Sequence, residues 1–129
     1  MSLTLPGEPQ SAAIARIAVT STLRAHALGR YVPPAVQAAS EIVAVTARLA
    51  PGADLYLSLR HRDDHLRLVV WDQHPRHADP AAVTLCAARR RRALWLLDAV
   101  VDDWGGRWGI CKATPQPDRG SKTWVVLPR

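Results

Sequence analysis

The sequence predicts an α/β fold of the α+β two-layer sandwich type: a mixed, mostly antiparallel sheet with helices packed on one face. Three observations carry this. Helical apolar spacing comes first, over residues 10–29 and 33–50. Two alternating segments, 55–60 and 66–72, then read as a hairpin. A further helical stripe over about 90–103 precedes two short strands, near 107–113 and 122–127. Helices with one apolar stripe and hairpins with one apolar face bury those surfaces against each other in two layers. At 129 residues the chain has the length of one domain, 1–129, with a real core.

Each element has a local reason. Leu3 to Leu5 reads as a short edge strand, ended by Pro6-Gly7. In the first helix Ile14, Ile17, Ala18, Ser21, Ala25 and Leu28 share one stripe. Arg16 and Arg30 lie off it, Arg24 at its edge and Leu23 on the opposite side. Gly29 suits a C-cap. Pro33-Pro34 suits the first turn of the second helix, which Pro51-Gly52 stops. Val36, Ala39, Val43 and Ala47, widened by Ile42, Val45 and Leu49, predict a largely buried helix. Leu55, Leu57 and Leu59 alternate with Tyr56, Ser58 and Arg60, and Leu66, Leu68 and Val70 answer them across an Arg62-Asp63-Asp64 turn. Residues 73–88 contain Pro and His with little periodicity and read as a loop or lid. The third helix presents Leu94, Leu97, Val101 and Trp104 and ends at Gly105-Gly106. Residues 114–119 read as a polar loop between the last two strands.

The composition excludes some classes. No run approaches the roughly 20 apolar residues of a membrane span. The start, Met1-Ser2-Leu3-Thr4-Leu5-Pro6, lacks the basic and apolar regions of a signal peptide, so a cytoplasmic location is expected. Cys86 and Cys111 have no metal-ligand spacing and are expected as thiols. His61, His65, His74 and His77 fit no standard zinc pattern, so no metal ligands are assigned. The net charge of +6 is almost all arginine. It permits nucleic-acid binding, but no nucleic-acid motif accompanies it, and that class ranks below the regulatory readings that follow.

Four short motifs sit on this frame. Ser40-Glu41-Ile42-Val43 lies on the second helix, with Val45 four residues after Glu41 on the same helix face. Val69-Val70-Trp71-Asp72 closes the hairpin. Arg91-Arg92-Ala93-Leu94 opens the third helix, and Gly120-Ser121-Lys122-Thr123-Trp124 opens the last strand. In this order and spacing, over almost the whole chain, they resemble the ATP-binding domain of the histidine-kinase/gyrase/anti-sigma-factor-kinase superfamily (the Bergerat fold). The order of elements is also similar to that of the small stand-alone ATPase-like regulators of actinobacteria, a group related to anti-sigma-factor serine kinases.

The resemblance implies roles. Glu41 stands where the family's Glu orients or deprotonates an attacking hydroxyl, so it is the catalytic candidate. Asp72 stands where an Asp accepts a hydrogen bond from the adenine amino group. Arg91, Arg92, Ala93 and Leu94 occupy the phosphate-facing helix start, and Gly120, Lys122 and Thr123 the last motif, with Thr123 its polar contact. Two departures matter. Val45 replaces the Asn whose oxygen holds Mg²⁺. Arginines replace the glycines that let backbone amides approach phosphate. ATP or ADP and Mg²⁺ are the implied cofactors, and these departures weigh against both. Cations at a helix start also oppose its dipole. Asp102 and Asp103 at the other end do likewise, which suggests that some of these charges are answered elsewhere.

The expected function is therefore a regulator with an anti-sigma-kinase-like fold and degenerate Mg·ATP motifs, acting through protein contacts in transcriptional signalling. Its implied partner is a sigma factor or an anti-anti-sigma-type protein. The alternative is an active serine/threonine kinase phosphorylating that partner. Relatives pair through their sheet or first helices, so the resemblance also implies a homodimer. Trp95, off the Leu94/Leu97/Val101 stripe, is a candidate interface anchor.

Overall fold

The computed structural model describes residues 1–75, 79–112 and 119–129. Residues 76–78 of the expected lid, with His77, and residues 113–118, the last of the expected strand 107–113 and most of the expected polar loop 114–119, lie outside them. The elements run β1 (Ser2–Leu5), α1 (Ser11–Ala25), a 3-10 turn (Gly29–Tyr31), α2 (Val32–Leu49), β2 (Leu55–Arg62), β3 (His65–Pro75), α3 (Pro80–Ala93), α4 (Trp95–Trp104), β4 (Arg107–Lys112) and β5 (Arg119–Pro128).

The five strands form one sheet in the order β1-β2-β3-β5-β4. Every pairing is antiparallel, a simpler sheet than the mixed one expected. The β2–β3 turn is Asp63-Asp64, both at positive φ (53° and 60°). That is the two-residue hairpin whose twist matches its strands. Leu55, Leu57, Leu59, Leu66, Leu68, Val70, Val125 and Leu127 bury one face of the sheet in a core shared with α1, α2 and α4. This is the two-layer sandwich that the alternation predicts.

Three elements differ from expectation. In α1 the buried residues are Ser11, Ala12, Ala15, Val19 and Leu23, while Ile14 and Ile17 are 44% and 67% exposed. The stripe through the isoleucines faces outward while α1 packs on α2, whose buried residues include Ala35, Ala38 and Ala39 beside Ile42 and Val43. Alanines on both helices let their axes approach closely, and bulky isoleucines in their place would hold them apart. The helix also stops at Ala25, with His26 at its C-cap and Ala27 at φ 57°, so Gly29 instead opens the 3-10 turn.

The second difference is α3. Its first half falls in the segment read as a loop. Asp79 caps it, accepting a hydrogen bond from Ala81 N at 3.0 Å, and Pro80 takes the first helical position. Arg90 is its buried residue, which explains the missing apolar period. The third follows from it. The chain breaks at Leu94, so Arg90, Arg91 and Arg92 lie in the last turn of α3 instead of opening a helix. There their charge complements the helix dipole. Asp98, in the first turn of α4, complements that helix too. In α4, Leu94, Leu97 and Val101 are buried as expected, Trp104 is half-buried and donates from Nε1 to Pro128 O at 2.8 Å, and Gly105 caps the helix at φ 81°.

Candidate functional site

Asp72 lies on β3 at a position facing the helices, in step with Leu68 and Val70. Ser121 of β5 is its register partner, and Ser121 Oγ donates to Asp72 Oδ2 at 2.9 Å. The last turn of α3 delivers Arg90, whose Nη1 donates to the same oxygen at 2.7 Å. The two side chains are 5% (Arg90) and 1% (Asp72) exposed. The other ion pairs among the described residues, Arg62–Asp63 and Arg129–Asp64, are at the surface. A charge-assisted bond taken out of water is strong, and either partner left alone there would be costly.

Gly120 completes this corner. Its φ is +77°, and a Cβ built on it would lie 2.1 Å from the Asp72 carbonyl oxygen. Only a residue without a side chain allows β5 to lie this close to β3. Thr123, 1% exposed, faces the same side of the sheet, opposite Val70 and Ile110. Lys122 faces the opposite side, between Trp71 and Cys111. The last motif is thus divided between the two faces.

The remaining candidates are dispersed. Glu41 is half-buried on α2 and accepts a hydrogen bond from Gln37 Nε2 at 3.2 Å. Val45 is 4% exposed and belongs to the core, where its isopropyl group offers no lone pair to a cation. Leu94 is a core residue and Ala93 packs beside it. Arg91 is exposed, with its guanidinium 5.6 Å from the centre of the Trp108 ring. Trp108 Nε1 donates to Asp98 Oδ1 at 2.8 Å, linking β4 to α4. Arg89 and Arg92 are exposed. His61 packs its ring 5.7 Å from that of Tyr31, whereas His65 faces the other side of the hairpin with Nδ1 2.8 Å from Asp63 O.

Arg90 and Ser121 are the functional residues that sequence reasoning passed over. The Asp79-Pro80 start was the signal for the first, since it sets a helical phase that turns Arg90 inward. The pairing of Ser121 with Asp72 follows only from strand register.

No family model matches the chain, and no curated protein matches it. Among solved structures, a mycobacterial sensor histidine kinase, MprB, is similar, with a TM-score of 0.52 and 20% identity over 75% of this chain and 73% of that one. The fold is histidine-kinase-like. At this identity the likeness concerns the arrangement of sheet and helices. No described helix is long and apolar enough to cross a membrane.

Proposed function

We propose that the chain is a regulatory protein that uses a histidine-kinase-like fold for protein contacts and has exchanged Mg·ATP chemistry for an internal ion pair. The observation that carries this reading is the Asp72 carboxylate, held at Oδ2 by Arg90 and Ser121 within the protein. An adenine amino group would have to compete with these two donors for the carboxylate. Val45 in the core supplies no magnesium ligand. In place of a glycine-lined helix start, the corresponding stretch is the arginine-bearing last turn of α3, which runs into the N-cap of α4 at Leu94. Trp95, 69% exposed on α4, with Val83 and Leu85 exposed on α3, supplies apolar contact residues for a partner. Transcriptional signalling, with a sigma factor or anti-anti-sigma-type protein as the partner, is the context implied by the sequence resemblance.

Calorimetry with ATP and ADP, with and without Mg²⁺, tests this. The expected result is no saturable heat at millimolar nucleotide. Mg·ATP binding that disappears in Asp72→Asn would overturn it. The competing reading, an active serine/threonine kinase, is favoured by one observation: Glu41 is half-buried and accepts from Gln37 at Oε1, so its carboxylate retains acceptor capacity. It requires labelled phosphate on a partner serine that is lost in Glu41→Ala.

A further inference from the structure

The helices cover one face of the sheet and leave the other open. Alternation and register order its outward side chains in rows across the strands. One row runs Arg60, Arg67, Val126, Arg107 from β2 to β4. The next runs Ser58, Val69, Trp124, Gly109, and the third Tyr56, Trp71, Lys122, Cys111. Arg60, Arg67 and Arg107 are exposed, Tyr56 is 44% exposed, and Trp71, Trp124 and Lys122 are half-buried. Among the described residues no outward strand position carries Asp or Glu. Asp63, in the hairpin turn, borders the face 3.8 Å from Arg62.

Two features of this face need a ligand to make sense. Arg60 and Arg67 are direct cross-strand partners, and like charges placed opposite each other destabilise a sheet. Arg107 lengthens the row, and no ion pair among the described residues answers any of the three. Two rows along, Tyr56 and Trp71 are cross-strand partners, with Trp124 of the intervening row diagonal to Trp71 on β5. A hollow of about 610 Å³ lies over this face, lined in part by Arg60, Arg67, Trp71 and Lys122, with Arg62 and Asp63 at the hairpin end.

We propose that this open face binds single-stranded nucleic acid, with phosphates along Arg60, Arg67 and Arg107 and bases stacked on Tyr56, Trp71 and Trp124. Guanidinium forks match phosphate oxygens. Ring faces accept any unpaired base, whereas a duplex hides its base faces inside the stack. An acidic peptide would answer the arginines and leave the rings without a flat partner. A second copy of the chain would bring the same cations against one another. The Asp72–Arg90 pair lies on the helix side of the sheet, so this inference stands apart from the regulatory reading above.

Fluorescence anisotropy with short labelled oligo-U and oligo-dT, over a series of salt concentrations, decides it. Saturable binding is expected, weakening with salt by a log–log slope of about 0.7 for each phosphate contact. The Arg60→Gln/Arg67→Gln double variant should lower affinity at least about tenfold and flatten that slope. Trp71→Ala and Tyr56→Ala should each lower affinity about five- to hundredfold at unchanged slope. Tyr56, at the surface, provides a variant that keeps its fold should Trp71→Ala lose it. Arg24→Gln and Arg48→Gln, on the helix layer, should change neither affinity nor slope. No saturable binding at low salt overturns the proposal. So does equal binding of duplex or heparin with no loss in Tyr56→Ala, which would mean simple polyanion adsorption. A dimer abolished by Arg60→Gln/Arg67→Gln, without oligonucleotide binding, would assign the face to a second copy.

Discussion

Arg90 and Asp72 hold each other at a distance of 2.7 Å inside the protein, and the physics of that pair is asymmetric. Removing one partner leaves an uncompensated charge, whereas removing both leaves a space that apolar side chains can fill. Arg90→Ala should therefore cost about 3–5 kcal/mol in urea denaturation. The double change Asp72→Leu/Arg90→Met should recover most of that loss, and a double variant no better than the single would contradict this account. Gly120→Ala places a methyl 2.1 Å from the Asp72 carbonyl at a φ of +77°. A loss of about 1–3 kcal/mol is expected for holding a non-glycine residue there, together with a displaced Asp72 amide resonance. Asp72 and Gly120 were both legible as special positions, because a strand-end carboxylate and a glycine opening a strand stand out in sequence. Their partner Arg90 was hidden in a run of four arginines, since composition alone does not say which one turns inward.

At the scale of elements, α1 and α3 show how periodicity misleads. In α1 the large isoleucines defined the apparent stripe, but the buried face is built from Ala12, Ala15, Val19 and Leu23. Leu23→Ala should lose about 2–5 kcal/mol, whereas Ile17→Ser should stay within about 0.5 kcal/mol of the parent. Thermal denaturation of the two variants side by side checks the assignment, and the reverse order would restore the isoleucine face. The α3 case is complementary. A mostly exposed helix has no apolar stripe to detect, and only its Asp79-Pro80 start announced it. Asp79→Ala should weaken it by about 1 kcal/mol, read as faster hydrogen exchange at the α3 amides while β3 and β5 are unaffected.

For the whole molecule, the sheet order places β3 at the centre, flanked by β2 and β5, and β1 and β4 at the edges, with the longest ladder between β3 and β5. The core is packed on Leu66, Leu68, Val70, Val125 and Leu127 from those two strands and on Leu55, Leu57 and Leu59 from β2. Hydrogen exchange should therefore be slowest in β3 and β5, approaching the global unfolding free energy, and fastest in α3, whose one buried side chain is Arg90. Equal protection of α3 and β3 would mean that α3 is anchored by more than the Asp72 pair. The charge distribution also belongs to this scale. A net charge of +6 says little by itself, but register gathers Arg60, Arg67 and Arg107 into one row on the uncovered side of the sheet.

The amino-acid sequence by itself determined the layers. Strand alternation, the buried second helix, the Asp-Asp turn and the glycine after Trp104 are local signals, each fixed by side-chain period or backbone dihedral preference. It also determined which chemical groups are missing, since a valine has no oxygen and an arginine is no glycine. Tertiary structure alone decided which arginine meets Asp72, which face of α1 is buried, and that Lys122 and Thr123 lie on opposite sides of the sheet. Those outcomes depend on the distance between elements remote in sequence, on whether alanine faces can approach and on where α3 ends. Of these, local pattern records only the phase of α3, through its Asp79-Pro80 start.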